Sequence, residues 1–130
     1  GVRGGADVGS VATRDGDTVS VLVWHYHDDD LAGPDARVSL DVAHLPKAFA
    51  HGARLVHYRI DRDHSNSYAA WLAMGSPIAP SDAQRKTLIE ASRLTALAPE
   101  GAAVAVTRGG AQLDFTLPRQ GVSLLVLTPN

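Results

Sequence analysis

Short segments of alternating or β-branched apolar residues recur along this chain, and they constrain its fold more than any other feature. The segment Thr18–His27 carries three valines at alternate positions on one face and Leu22, Trp24 and Tyr26 on the other. Apolar side chains on both faces predict a central strand that is covered on both sides.

Further strands follow from the same alternation. Three more segments each place three apolar residues on one face, namely Val38, Leu40 and Val42; Val56, Tyr58 and Ile60; and Val122, Leu124 and Val126. We expect the first and last of these sets to face the core. Residues 103–108 and 112–117 are predicted to pair as a hairpin around the turn dipeptide Gly109-Gly110. The sequence therefore predicts a mainly β domain, an antiparallel β-sandwich of the immunoglobulin or fibronectin kind.

A helix-containing insertion is predicted at about 61–99. Residues 68–75 have apolar side chains at helical spacing, and Asn66 or Ser67 is placed to cap that helix. A Ser-x-x-Gln capping box predicts a second helix over residues 81–98. Connections between strands of a sandwich are usually short, so an insertion of this length indicates a functional role.

The first seventeen residues differ in composition from the rest. They contain five glycines and few large apolar residues, so residues 1–17 are predicted to be a junction, a linker or an edge segment before a domain at 18–130. The chain begins with Gly1 and Val2, without Met and without the basic-then-apolar pattern of a signal peptide. We therefore expect it to be a piece of a longer protein.

Composition excludes several classes of function. Twelve basic and fourteen acidic side chains give a net charge of -2, unlike a strongly basic nucleic-acid binder. No apolar run approaches the roughly 20 residues that span a bilayer. The absence of cysteine excludes disulfides, thiolate metal sites and cysteine nucleophiles. We expect no cofactor, no nucleic-acid partner and no membrane partner. Ten arginines against two lysines, with many alanines and glycines, suggest a GC-rich bacterial genome.

The stretch His25–Asp30 is rich in histidine and aspartate, side chains that can bind metal ions. His25 and His27 lie on one face of the predicted strand and could bind zinc together with a nearby aspartate, while three successive aspartates could offer oxygen ligands to calcium. The spacing of a calcium-binding loop is missing. We favour the alternative that the strand simply runs into a solvated acidic loop that caps its own backbone, and we expect no metal here.

Catalytic groups are not convincingly placed anywhere in the sequence. The chain has two glutamates, Glu90 on a predicted amphipathic helix and Glu100 in a loop. Serine, histidine and aspartate are present, but the Gly-x-Ser-x-Gly motif that exposes a serine nucleophile is absent. His57 lies in the middle of a strand and is predicted to be a hydrogen-bonded packing residue. No catalytic residue is predicted.

The junction between the third long strand and the insertion, Asp61–Trp71, combines polar side chains with two aromatic ones. In one interpretation the polar groups cap local backbone amides, while the aromatic rings pack on the sandwich. In the other, the segment is a contact surface for another domain or a sugar, since aromatics beside polar groups suit both. The candidates for such a surface are His64, Asn66, Tyr68 and Trp71.

Five stretches of this sequence resemble the carboxyl-terminal region of family 39 glycoside hydrolases, the β-xylosidases and their relatives the α-L-iduronidases. The central ones are His57–Asp61, His64–Trp71 and Met74–Pro77, and Val23–Asp30 and Leu117–Leu125 are similar as well. The resemblance covers the chain from about Val19 onward.

The resemblance implies that this chain is the accessory β-sandwich of a retaining glycosidase whose catalytic TIM barrel lies upstream. The family holds its acid/base glutamate in an Asn-Glu-Pro motif, which is absent here, so no catalytic residue is carried over. The implied partners are the barrel of the same protein and xylo-oligosaccharide substrates, and the insertion would approach the active-site entrance.

Two other functions are carried as alternatives. One is an independent carbohydrate-binding module that uses Trp24, Tyr68 or Trp71 as a sugar platform. The other is a small metal protein or hydrolase that uses the stretch His25–Asp30.

The first prediction is that this chain alone has no glycosidase activity. A retaining enzyme needs two carboxyl groups about 5–5.5 Å apart across the scissile bond, and Glu90 and Glu100 are not placed to provide them. The purified chain should leave an aryl β-xyloside unhydrolysed. Turnover that disappears in the Glu90→Gln variant would contradict this prediction.

Overall fold

A computed structural model describes residues 5–130 of the chain, and strands dominate it. The strands and helices of that range are β1 Asp7–Asp15, β2 Thr18–Tyr26, β3 Ala36–Val42, a 3₁₀ helix Lys47–His51, β4 Ala53–Ile60, α1 Ser67–Ala73, α2 Asp82–Ala91, β5 Thr95–Ala96, β6 Ala102–Val104, β7 Ala111–Leu117 and β8 Val122–Pro129.

The larger of two antiparallel sheets contains six strands. Its order is β1-β2-β8-β4, and the short strands β5 and β6 share the free edge of β4. β1 occupies the opposite edge and pairs with β2 over its whole length, where the sequence predicted a junction, a linker or an edge segment. Residues 1–4 of that predicted segment lie outside the described residues.

The smaller sheet consists of β3 and β7, and it covers one face of the larger sheet, which we call the inner face. Phe49 of the 3₁₀ helix is fully buried in the core between the sheets. The core cluster of buried apolar residues is Val19, Val21, Val23, Phe49, Ala53, Leu113, Leu117, Leu125 and Leu127. The predicted antiparallel β-sandwich with a helix-containing insertion is confirmed.

The predicted hairpin is wrong in its pairing, although its turn is present. Thr107 and Gly110 form an isolated bridge, and Arg108 and Gly109 between them both have positive φ, as in a tight hairpin turn. The flanking strands do not pair with each other, because β6 joins β4 in the large sheet whereas β7 joins β3 in the small one. The chain changes sheets at this turn.

Strand β8 faces the opposite way from the prediction. Leu125 and Leu127 are fully buried on the inner face, whereas Val122, Leu124 and Val126 lie on the other face of the large sheet, which we call the outer face. The strand is apolar on both faces, so alternation alone could not tell which set points inward. The inward orientation of Val38, Leu40 and Val42 was correctly predicted, because polar residues alternate with them.

The insertion at residues 61–99 begins and turns as predicted, but its second helix is shorter. Asn66 caps α1 by accepting a hydrogen bond from the Ala69 amide, and the capping box of Ser81 and Gln84 is complete at α2. α2 ends at Ala91 rather than before Pro99. The following residues pair with β4 instead, and the Leu97 amide donates to the His57 carbonyl, so sheet pairing overrides the helical pattern.

The assignment of faces on β8 can be tested with two neighbouring leucines. We expect Leu125→Ala to lower the free energy of unfolding by about 2–5 kcal/mol, because it leaves a cavity in the core. The matched variant Leu124→Ala removes the same atoms from a half-exposed side chain and should cost about 1 kcal/mol. Urea denaturation of this chain measures both values, and equal losses would contradict the assignment.

Candidate functional site

Asp61 is the centre of the junction between β4 and the insertion. The residue is buried, 8% exposed, and its carboxylate accepts hydrogen bonds from the Asp63 amide at 2.8 Å and from Nδ1 of His64 at 2.8 Å. Nη1 of Arg59 lies 3.5 Å from the other carboxylate oxygen. The carboxylate therefore holds the first turn of the insertion against the end of β4.

Arg59 connects this carboxylate to both sheets. Its guanidinium is buried, and Nε donates to Oγ of Ser123 in β8 at 3.0 Å. Nη2 donates to the Thr116 carbonyl of β7 at 2.9 Å. A buried cation is costly unless its hydrogen bonds are satisfied, and here one side chain links the large sheet, the small sheet and the insertion.

Two further polar side chains complete the turn. The Asn66 side chain donates to the Asp61 carbonyl at 3.1 Å while its oxygen caps α1. The Ser65 hydroxyl donates to the Arg59 carbonyl at 2.8 Å and accepts from the Thr95 amide at 2.8 Å, which brings the two ends of the insertion together. The base of the insertion is thus held by a network of hydrogen bonds.

The two aromatic candidates lie on α1, just beyond that base. Tyr68 and Trp71 stack with ring centroids 5.7 Å apart and an interplanar angle of 27°. Nε1 of Trp71 donates to the Pro77 carbonyl at 3.0 Å, while Tyr68 is 63% exposed. The polar groups do cap local backbone, as the first interpretation had it, but the tyrosine ring does not pack on the sandwich.

The four predicted candidates are therefore close in space but differ in role. His64 and Asn66 belong to the hydrogen-bonded turn, and Tyr68 and Trp71 form a stacked pair on the adjacent helix. Their role as an interface stays a prediction. Arg59 and Ser123 were not predicted to belong to this site; in the sequence each is only a polar residue between apolar neighbours of a strand.

Ser123 and His57 resemble a nucleophile and its base but cannot act as such a pair. Oγ of Ser123 lies 2.7 Å from Nε2 of His57, the separation of a catalytic serine–histidine pair. However, Ser123 is fully buried and its oxygen also accepts from Arg59, so no substrate reaches it. His57 also packs edge-on against Phe115, which confirms the predicted packing role.

Two groups in this network have pKa values below their ordinary values, His57 and Asp61. Burial, with a smaller contribution from the neighbouring Arg59 cation, lowers the pKa of His57 to about 4. Burial opposes ionisation of Asp61, but hydrogen bonds from His64 and the Asp63 amide outweigh it and lower the pKa of that carboxyl. At neutral pH the network therefore holds a neutral imidazole at His57 and an ionised carboxylate at Asp61.

His25 in β2 and His27 just after it form hydrogen bonds with each other and with the backbone. Nδ1 of His25 donates to the Leu117 carbonyl at 2.9 Å, and Nε2 of His25 shares a hydrogen bond with Nε2 of His27, 2.9 Å away. Both residues are buried. No group of three histidine, cysteine, aspartate or glutamate side chains with metal-binding geometry occurs among residues 5–130. The absence of a metal stays a prediction.

The acidic loop after β2 is attached to the turn between β7 and β8. Asp29 forms an ion pair with Arg119 and accepts from the Leu31 amide, so it caps its own loop as predicted. The Gln120 side chain donates to the carbonyls of His27 and Asp29 at 2.7 and 2.8 Å. These hydrogen bonds and the ion pair hold the loop against the turn between β7 and β8.

The two glutamates lie on the surface of the protein. Glu90 is exposed and pairs with Arg93, which is also exposed, at 3.1 Å, while the backbone carbonyl of Glu100 accepts from Arg54. Neither carboxyl group lies in a buried or water-excluding environment that could tune it as a catalytic acid.

Comparison with known proteins places this fold within larger enzymes. No protein-family model matches the sequence. The fold is similar to part of the GH39 enzyme from Xanthomonas axonopodis pv. citri, with a TM-score of 0.72 and 21% identity over 93% of this chain and 26% of that one. A monomeric β-xylosidase from Caulobacter crescentus CB15 matches with a TM-score of 0.67 and 22% identity, over 92% of this chain and 26% of that one.

A bacterial orthologue of human α-L-iduronidase has the same fold over 95% of this chain and 22% of its own, with a TM-score of 0.64 and 23% identity. The resemblance noted in the sequence is confirmed at the level of the fold. This chain spans about a quarter of the length of the solved structures that it matches.

The lowered pKa of His57 makes stability depend on pH. Between pH 6.5 and 4 the unfolded chain binds a proton at His57 that the folded chain does not, so the free energy of unfolding falls as the pH falls. Because the ring is only partly buried, we expect a loss on the order of 2 kcal/mol across that window.

Two histidine variants separate this effect from general acid sensitivity. His57→Gln should flatten the pH dependence measured by urea denaturation between pH 6.5 and 4.5, above the range in which Asp61 titrates. The control His51→Gln alters an exposed histidine and should keep the wild-type slope. An unchanged slope in His57→Gln would show that His57 does not carry the dependence.

Proposed function

We propose that this chain is a non-catalytic accessory domain of a longer, retaining β-xylosidase-like glycoside hydrolase. In that role the sandwich stabilises the catalytic barrel, and the insertion at residues 61–99 shapes the entrance to the active site. The parent enzyme would hydrolyse xylosides and short xylo-oligosaccharides.

The observation that carries this proposal is the match in fold to about a quarter of each of several larger enzymes. One of them is described as a GH39 enzyme and another as a β-xylosidase. Nearly the whole of this chain is used in each match, as expected if it is one structural unit of a longer polypeptide. The substrate class follows from the second of these descriptions and from the resemblance in sequence.

The non-catalytic role is supported by the chemistry of the described residues. Within residues 5–130, Glu90 and Glu100 are solvent-exposed side chains without a confining pocket. The pair formed by Ser123 and His57 is buried away from any substrate. Hydrolysis would therefore depend on groups that another part of the polypeptide supplies.

The contact role of the insertion is supported by its unusual surface. Neither α1 nor α2 buries a residue in this chain. Six of its large apolar side chains are exposed, namely Tyr68, Leu72, Ile78, Ile89, Leu94 and Leu97, and Ile78 is fully so. Several exposed large apolar side chains on one segment are typical of a protein contact. The turn that contains His64 and Asn66 would orient it, with Tyr68 and Trp71 as anchors.

A carbohydrate-binding module is the second candidate, and the exposed ring of Tyr68 favours it. A ring that is 63% exposed and supported by Trp71 from behind offers a flat face on which a pyranose could stack. The two functions separate in calorimetry, because only a binding module would bind xylohexaose as this chain alone, with the binding lost in Tyr68→Ala.

The proposal is tested with Trp71 in the longer polypeptide. We expect Trp71→Ala to lower both its thermal stability and its kcat/KM for an aryl β-xyloside, since truncating a central aromatic anchor costs roughly 2 kcal/mol or more. Trp71→Phe keeps an aromatic ring but loses the hydrogen bond to Pro77, so it should retain most of the activity. Unchanged stability and kinetics in Trp71→Ala, or the absence of glycosidase activity in the longer polypeptide, would refute the proposal.

A further inference from the structure

The outer face of the large sheet is apolar across four strands. Strand register places Leu22 of β2 beside Leu124 of β8, and Leu124 beside Tyr58 of β4. The next row along the strands joins Trp24, Val122 and Ile60 in the same way. These rows form one continuous surface.

This surface is open to solvent in the chain described here. Leu22 is 36%, Ile60 45% and Tyr26 48% exposed, and Val11 of β1 extends the surface with 50% exposure. The exposure of these four side chains shows that the insertion does not cover them, and the other side chains of the two rows are half-buried. The largest exposed apolar patch of a soluble monomer measures about 300–600 Å² and is often an interaction site.

The end of β4 next to the insertion has its large apolar side chains on the outer face. Val56, Tyr58 and Ile60 point outward there, while His57 and Arg59 point inward; the other end of the strand has the opposite arrangement, with Arg54 outward and Ala53 and Leu55 inward. A strand with water on one side normally alternates the other way, with polar residues outward. The hydrogen bonds described above satisfy the polar residues on the inner side of β4. The apolar residues on its outer side are those expected of a face that another surface covers.

The size of the surface indicates what covers it. Four strands spaced about 4.8 Å apart, each with three outward residues about 6.7 Å apart, present on the order of 300 Å². A stable dimer buries about 800 Å² per partner. Contacts between domains of one chain bury about 300–750 Å² on each side. The surface therefore fits a tethered domain better than a second copy.

We propose that the outer face is a contact surface for another domain of the same polypeptide, in addition to the insertion. The proteins of similar fold carry about three quarters of their length outside the matched region, which supplies such a domain. The inference rests on the proposed function in taking that domain to be the catalytic one. The insertion leaves β4 directly after Ile60 and returns at Ala96 beside Tyr58, so it adjoins this surface and extends the same contact.

Cysteine labelling tests the inference directly, because this chain has no cysteine of its own. Leu22→Cys should react readily with a thiol reagent in the 130-residue chain and roughly tenfold or more slowly in the longer polypeptide. The control Leu31→Cys lies in a loop outside both apolar surfaces, is 70% exposed in the wild type, and should react equally in both. Mass spectrometry of the labelled peptide reports each rate.

Other outcomes overturn the inference in distinguishable ways. Equal labelling of Leu22→Cys in both proteins would show that the outer face stays open. Protection in the 130-residue chain that grows with protein concentration would show that a second copy covers it. Ile78→Cys reports on the insertion separately, and turnover of an aryl β-xyloside by the unaltered longer polypeptide tests the proposed function. The labelling result can therefore overturn the outer-face contact without affecting the proposed function, and the turnover result can overturn the proposed function without affecting the contact.

Discussion

The buried guanidinium of Arg59 is the interaction on which the rest of this domain depends. It donates to Ser123 in β8, to the Thr116 carbonyl in β7 and to Asp61 at the start of the insertion. Removing one partner from such a network leaves an uncompensated buried charge, which is far more costly than losing a surface ion pair. The packing of the two sheets and the direction of the insertion are therefore coupled through one side chain.

That coupling fixes the base of the insertion on the sandwich. Its two ends are joined at the Ser65 hydroxyl, which contacts both Arg59 and Thr95, and no residue of its two helices is fully buried. Six of its large apolar side chains are exposed and available for contact. Together with the open outer face, it gives the domain two adjoining surfaces suited to contact with a neighbouring domain.

Much of the architecture could be predicted from local signals. The helix caps at Asn66 and Ser81, the strand β3 and the sandwich itself follow from residue type and spacing. The orientation of β8 could not be predicted, since both of its faces are apolar. The strands that pair with β6 and β7 could not be predicted either. A tight turn such as the one at Arg108 and Gly109 can join two paired strands or two strands of different sheets.

The sequence by itself determined the long strands β2, β3, β4, β7 and β8, the residues at which α1 and α2 begin, and the capping groups beside two aromatics in the segment after Asp61. These are short-range properties, set by backbone preference and by hydrogen bonds between near neighbours. Only the tertiary structure decided that His57 and Arg59 point inward while Val56 and Tyr58 point outward. The physical reason is that Ser123 and Thr116, more than fifty residues away, provide the hydrogen bonds that make those inward positions tolerable.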